Sequence, residues 1–129
     1  MTATQFLDAV RERGTFPSRD AAELATRATL ATLAARLKET GALDIASQLP
    51  TEIAAFMLHD ATGARAHLGT DDFVHVAAID EGAPDAEAER HARAVFAVLR
   101  EAISPGEVAD LRAQLPPDLR AFFDDASVG

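Results

Sequence analysis

The residues of this chain best suited to chemistry are its histidines, His59, His67, His75 and His91, set among twenty-one carboxylates and without a single cysteine. His75 and His91 fall in stretches of helical periodicity. Asp71 and Asp72 lie one turn before His75, and Glu87 lies one turn before His91. Carboxylate and imidazole at that spacing share a helix face and can pair or hold a divalent ion. His75, Asp71, His91 and Glu87 are therefore the metal candidates. The di-metal sites of helical bundles need four carboxylates and two inward Glu-x-x-His motifs, and the chain contains no Glu-x-x-His. Solvated carboxylate–imidazole pairs, with no metal and no cofactor, are the expectation.

Other chemistry finds less support. No Gly-x-Ser-x-Gly elbow is present, and without cysteine there is no thiolate nucleophile. The glycine-bearing stretches GTFPS and TGARAHLG match no phosphate-binding fingerprint. From Asp71 to Glu89 the chain carries seven carboxylates and no Lys or Arg, but not in the alternation of a calcium loop. No catalytic residue is assigned, and the balance leans away from an enzyme.

Polar residues that recur stand out next. With an offset of 66, positions 22 to 57 give 12 identities in 36 without a gap. Ala22, Glu23, Arg27, Ala28, Ala31 and Leu33 match Ala88, Glu89, Arg93, Ala94, Ala97 and Leu99. Asp44 matches Asp110, and Gln48-Leu49-Pro50 matches Gln114-Leu115-Pro116. Glu23 and Arg27, like Glu89 and Arg93, are i, i+4 neighbours. Asp44 and Asp110 lie on the next helical segment, within reach of those arginines. These six are expected to be structural ion pairs clipping one helix to the next. Gln48 and Gln114 are expected to bond the helix-end backbone at the Leu-Pro corner.

The elements that would position these residues are helical throughout. Alanine supplies 29 of the 129 residues, and alanine is the best intrinsic helix former. Each copy reads as four helical segments. The first covers roughly Ala3 to Arg13 and, behind Thr70 as N-cap, Asp71 to Ile79. A longer one follows Ser18 and, with Pro84 in its first turn, recurs in the second copy. There Ala88, Ala92, Val95, Phe96, Leu99 and Ile103 form an apolar stripe. Ser104-Pro105-Gly106-Glu107 is a capping box opening the third segment, for which Thr40 and Gly41 are the weaker counterpart. The residue before proline leaves the α region, so each Leu-Pro step ends that segment. Pro50 and Pro116 then open the last. The expected fold is all-α: one domain over 1–129, made of repeat one (about 3–58), a linker 59–69 and repeat two (about 70–125). Leu30, Leu33, Leu37, Phe56, Phe96, Leu99, Ile103 and Phe122 are its expected core.

Charge narrows the partners. The net charge is −9; positions 1 to 66 contribute −1 and the remainder −8. Phosphate backbones are held by cations that displace counterions, so nucleic-acid binding is not expected. No apolar run approaches 18 residues, which argues against a membrane span. The N-terminal MTATQFLDAVRERG lacks a basic region followed by an apolar core, so a secretory signal is not expected. Eleven arginines against one lysine, with the alanine excess, suggest a GC-rich bacterial source. A cytoplasmic location is the expectation.

The segments TRATLATLAARL, GALDIASQLPTEIAAFML and RAVFAVLREAISPGEVADLRAQLPPDLRAFF together resemble the two halves of the bacterial family called domain of unknown function 2267. The resemblance covers nearly the whole chain, and the paired Gln-Leu-Pro steps are its most specific part. It implies a small all-helical protein and brings no activity, cofactor or catalytic residue. The functional expectation is an uncharacterised, non-enzymatic module for protein interaction or self-association. The alternative is a small-ligand-binding or metal-binding protein, or an enzyme, using the acidic second half. A pocket of convergent histidine and carboxylate would favour that alternative.

Overall fold

The computed structural model of the protein describes residues 1–58 and 70–126. The side chains of Thr70 and Asp71 lie outside the described residues, as do the expected linker, His59 and His67. The described residues form eight helices and no strand: α1 (Ala3–Gly14), α2 (Arg19–Ala34), α3 (Glu39–Ala46), α4 (Thr51–Leu58), α5 (Thr70–Glu81), α6 (Asp85–Ala102), α7 (Pro105–Gln114) and α8 (Pro117–Ala126).

Local chemistry sets most of the ends. Ser18 accepts from the Ala21 N–H at 3.1 Å and starts α2. Thr2 and Gln5 close a capping box on α1 that the sequence reading missed. Ser104 caps α7 through the Glu107 N–H at 3.2 Å, with Pro105 at the first helical position. Four starts differ from expectation. Pro84 is itself the extended N-cap of α6, at φ −62° and ψ 152°, a conformation its ring already favours. Lys38, not Thr40, precedes α3, with no side-chain cap. Pro50 and Pro116 lie just outside α4 and α8, their carbonyls accepting from Ala54 and Arg120 at 2.8 Å each.

The long helices α2 and α6 lie side by side at the centre of one packed helical domain. α1 packs on both of them, and so does α5. α4 covers α2, α8 covers α6, and α3 lies against α7. Leu30, Leu33, Leu37, Phe96, Leu99, Ile103 and Phe122 are all buried in the core these helices enclose. Phe96 is its hub, with ring centroids 5.5 Å from Phe73, 5.7 Å from Phe122 and 5.3 Å from Phe123. Phe56 departs from expectation: it is only half-buried, its ring covered by the Arg27 guanidinium at 5.4 Å. In a helix as enclosed as α2 the threonine hydroxyls need partners. Thr26 and Thr32 donate to the Ala22 and Ala28 carbonyls, each at 2.7 Å.

One joint is made in two ways. α3 and α4 pack closely, with the small Ala46 and Ala54 buried there. The residues 66 positions later are Arg112 and Arg120, and α7 is stitched to α8 by polar contacts instead. Arg112 donates to both Asp124 carboxylate oxygens at 2.7 and 2.9 Å. Arg120 reaches the Arg112 and Leu115 carbonyls at 2.9 and 3.2 Å. The bidentate bond to Arg112 holds the Asp124 carboxyl below the ordinary carboxylate range, against the opposing pull of partial burial.

Candidate functional site

The short turns that end α1 and α5 come together at the N-terminal ends of α2 and α6. Between them lies a cleft of about 320 Å³, lined among others by Thr15, Phe16, Leu24, Glu81, Glu87 and His91. Its first wall comes from Gly14-Thr15-Phe16. A Cβ on Gly14 would sit 2.3 Å from the Phe16 ring, so only glycine lets that ring fold back over the end of α1. Thr15 sits in the left-handed region at φ 55° and ψ 47°. For a β-branched residue this costs on the order of 1–2 kcal/mol. Phe16 then stacks on His91, ring centroids 4.4 Å apart.

The second wall is the α5–α6 turn, where Gly82 takes φ 74°. That tight turn aligns residues ten apart on adjacent helices. Glu81 bonds the Nδ1 of His91, and the two side chains are only 7% and 12% exposed. A carboxylate at Nδ1 holds the proton of the neutral ring there and leaves Nε2 as an acceptor. The Arg90 Nη2 lies 3.5 Å from Nε2. The arrangement is an oriented imidazole on an aromatic face, its Nε2 able to accept a hydrogen bond.

The metal candidates are rearranged by this turn. His91 pairs with Glu81 of α5, not with Glu87 of its own helix, which stands exposed at the rim of the same cleft. His75 meets Asp85 at 3.3 Å across the same turn, both well exposed, while the Asp71 side chain lies outside the described residues. Among the described residues no three His, Asp or Glu side chains converge as metal ligands would. Glu81 is the residue the sequence reading missed. The brevity of Gly82-Ala83-Pro84 is the signal that could have found it, since so short a turn must bring the ends of α5 and α6 together.

The expected ion pairs divide. Arg27 lies 4.0 Å from Glu23, and Arg93 lies 3.5 Å from Glu89, each on its own helix. The same two arginines cover Phe56 and Phe122, at 5.4 and 4.5 Å, so they span to α4 and α8 rather than to α3 and α7. Asp44 and Asp110 form no ion pair with either arginine among the described residues, a correction to the expected clip. They face Glu107 where α3 meets α7. Burial, then Asp44, then Asp110, push the Glu107 carboxyl above the ordinary range. Of the two glutamines, Gln48 is a correction and Gln114 keeps a backbone bond at its own helix end. Gln48 leaves its own corner and accepts from the Ser104 N–H at 2.6 Å, supplying the reciprocal half of the α7 cap. Gln114 packs against Gly41, where a Cβ would lie 2.5 Å from its amide oxygen, and reaches the Asp110 carbonyl at 3.5 Å.

Two further depressions adjoin the cleft. One of about 580 Å³ is lined by Leu24, Arg27, Ala28, Ala31, Ala55, Phe56 and Asp80. The other, about 180 Å³, is lined by Arg13, Arg90, Arg93, Ala94, Ala97 and Ala126. Leu24 belongs to the cleft and the first; Arg90 belongs to the cleft and the second. Leu24 and Arg90 thus each border two depressions, and the three, taken together, are the trough along α2 and α6.

A family model described as "Uncharacterized conserved protein (DUF2267)" matches residues 3–122. The chain belongs to the DUF2267 family. No curated protein matches it. Membership in DUF2267 assigns no chemistry to the trough. Among the described residues no helix is long and apolar enough to cross a membrane.

Proposed function

We propose that this DUF2267 member is a non-enzymatic binding module whose halves, 3–58 and 70–125, are two copies of one helical unit, and that it docks another protein along the trough. The ungapped identities support the duplication, as does the packing. Exchanging each of α1 to α4 with its counterpart in α5 to α8 returns most of the same helix contacts. The observation that carries the docking reading is the adjacency of three depressions, with Leu24 and Arg90 each shared by two of them. Its floor is alanine, which lets a partner backbone approach closely. Its first end carries Phe56 and the exposed Leu24, and the exposed Ile79 adjoins Asp80 there. Exposed apolar side chains grouped around a groove are the usual mark of a docking surface.

The test is capture with tagged wild type, Leu24→Asp and Leu43→Asp, the last altering an exposed leucine of α3 away from the trough. Wild type and Leu43→Asp should recover the same partner, or self-associate alike in sedimentation, and Leu24→Asp should lose it. Identical behaviour of all three would sink the docking reading.

A second reading, a small-ligand site, is favoured by the half-buried His91 held by Glu81. His91→Phe keeps a ring on Phe16 and removes Nε2. Under this reading it abolishes ligand-induced thermal stabilisation and leaves protein capture unchanged.

A further inference from the structure

The two ends of the trough occupy corresponding places and differ in one systematic way. Arg27, Ala28 and Ala31 line the first end; Arg93, Ala94 and Ala97, each 66 positions later, line the second. Both arginines lie over a phenylalanine of the last helix in their half. The lips, however, are exchanged in character. Leu24 corresponds to Arg90, and Ile79 corresponds to Arg13. One exposed leucine in the lining of the first end is thus replaced by a guanidinium group at the second, where Arg13 adds another; the exposed Ile79 only neighbours the lining residue Asp80 in sequence.

We infer that the second end, Arg13, Arg90 and Arg93, is a recognition site for carboxylate side chains, and that the trough's partner is a peptide segment with apolar residues at one end and acidic residues at the other. The inference rests on the docking reading and gives it a direction. Three of the chain's twelve basic residues line one depression of a protein whose net charge is −9. Arg13 and Arg93 have partners in Glu101 and Glu89, all four side chains well exposed, so these pairs exchange readily with a competing carboxylate. Arg90 has no carboxylate within ion-pair distance among the described residues and is exposed. A guanidinium presents a planar fork that matches a carboxylate, and a cluster of forks selects for several. The depression holds about 180 Å³, room for side-chain carboxylates but not for a folded element. The protein's other carboxylates repel an acidic partner, but at physiological ionic strength that repulsion is screened beyond about 8 Å. The arginines that touch the ligand therefore decide.

The test uses the whole chain with ¹⁵N-labelled arginine and unlabelled hexaglutamate, hexalysine or inorganic phosphate as probes. Hexaglutamate should shift the side-chain Nε–H signals of Arg13, Arg90 and Arg93, leave those of Arg11 and Arg120 in place, and bind several-fold more weakly when salt rises from about 50 to 200 mM. Arg90→Glu should weaken hexaglutamate binding about tenfold or more with an unchanged melting temperature, since Arg90 holds no structural carboxylate. Hexalysine should leave the three signals unmoved. No shift with hexaglutamate, a shift spread evenly over all arginines, or binding indifferent to Arg90→Glu would overturn the inference. Phosphate shifting the three signals where hexaglutamate does not would also overturn it, because the site would then read a phosphoryl group. Loss of partner capture by Leu24→Asp is read independently, so a trough that docks protein without an acidic preference is told apart from a trough that docks nothing.

Discussion

The two ends of the α2–α6 pair treat the residue correspondence in opposite ways. At the C-terminal ends, where α3 meets α7, the repeated residues do the joining: Gln48 caps α7 from the other half, and Gln114 packs on Gly41. At the N-terminal ends the corresponding residues have diverged. Thr15 faces Glu81 in the numbering, Phe16 faces Gly82, Leu24 faces Arg90 and Ala25 faces His91. The two glutamines of the joint are therefore alike, and so are the flanking walls of the trough, whereas the residues of its central cleft are not. The contrast teaches where to look for function in a fold of this kind, because a joint constrains both halves equally and a recognition surface does not.

The largest expected effect bears on the diverged end. Gly14→Ala forces a buried phenyl ring away from a Cβ, with Ala94 only 3.2 Å behind it. Overpacking of this sort costs about 1–3 kcal/mol. The melting temperature should fall by several degrees and the His91 imidazole signals should shift. A stable variant with undisturbed His91 signals would break the claim that Gly14 builds this wall.

The joint end is sharpened by comparing its two glutamines. Gln48→Ala strips the Ser104 N–H of its acceptor and should cost about 0.5–1 kcal/mol in denaturant unfolding. Gln114→Ala removes only a long contact and should cost less. Equal losses would mean that the interlock is symmetric in energy although it is not in geometry. Neither variant should alter partner capture.

The smallest effect is electrostatic. Buried, and beside Asp44 and Asp110, Glu107 ionises with difficulty, so its folded-state pKa lies above its unfolded one. Between those two values the native state binds more protons than the unfolded chain, and stability falls as pH rises through the window. Glu107→Gln removes that loss. It should raise the melting temperature by about 2 °C at neutral pH, with the gain vanishing as pH falls below the ordinary carboxylate range. A gain that persists in acid would assign the effect to packing.

Much of the architecture was legible locally. Ser18 and Ser104 mark the helix starts they cap, and the apolar stripe of α6 is the buried one. Most of the misreadings are of polar partners. The spacing of Glu87 and His91 was right for a helix face, yet His91 turned to a carboxylate ten residues back because Glu81 was half-enclosed with it. Asp44 was within an arginine's reach in principle, but Arg27 found Glu23 and the Phe56 ring on nearer surfaces. Phe56 read as core because periodicity records which face is apolar and not what covers it.

What the sequence determined by itself, then, is the helices, the serine caps of α2 and α7 and most of the apolar faces, since helix period and capping act within a few residues. The tertiary structure alone decided that Gln48 serves the other half, that Glu81 orients His91 and that Leu24 and Arg90 bound one trough. A long polar side chain can satisfy itself on any of several surfaces within its reach, and only the packing of whole helices selects among them.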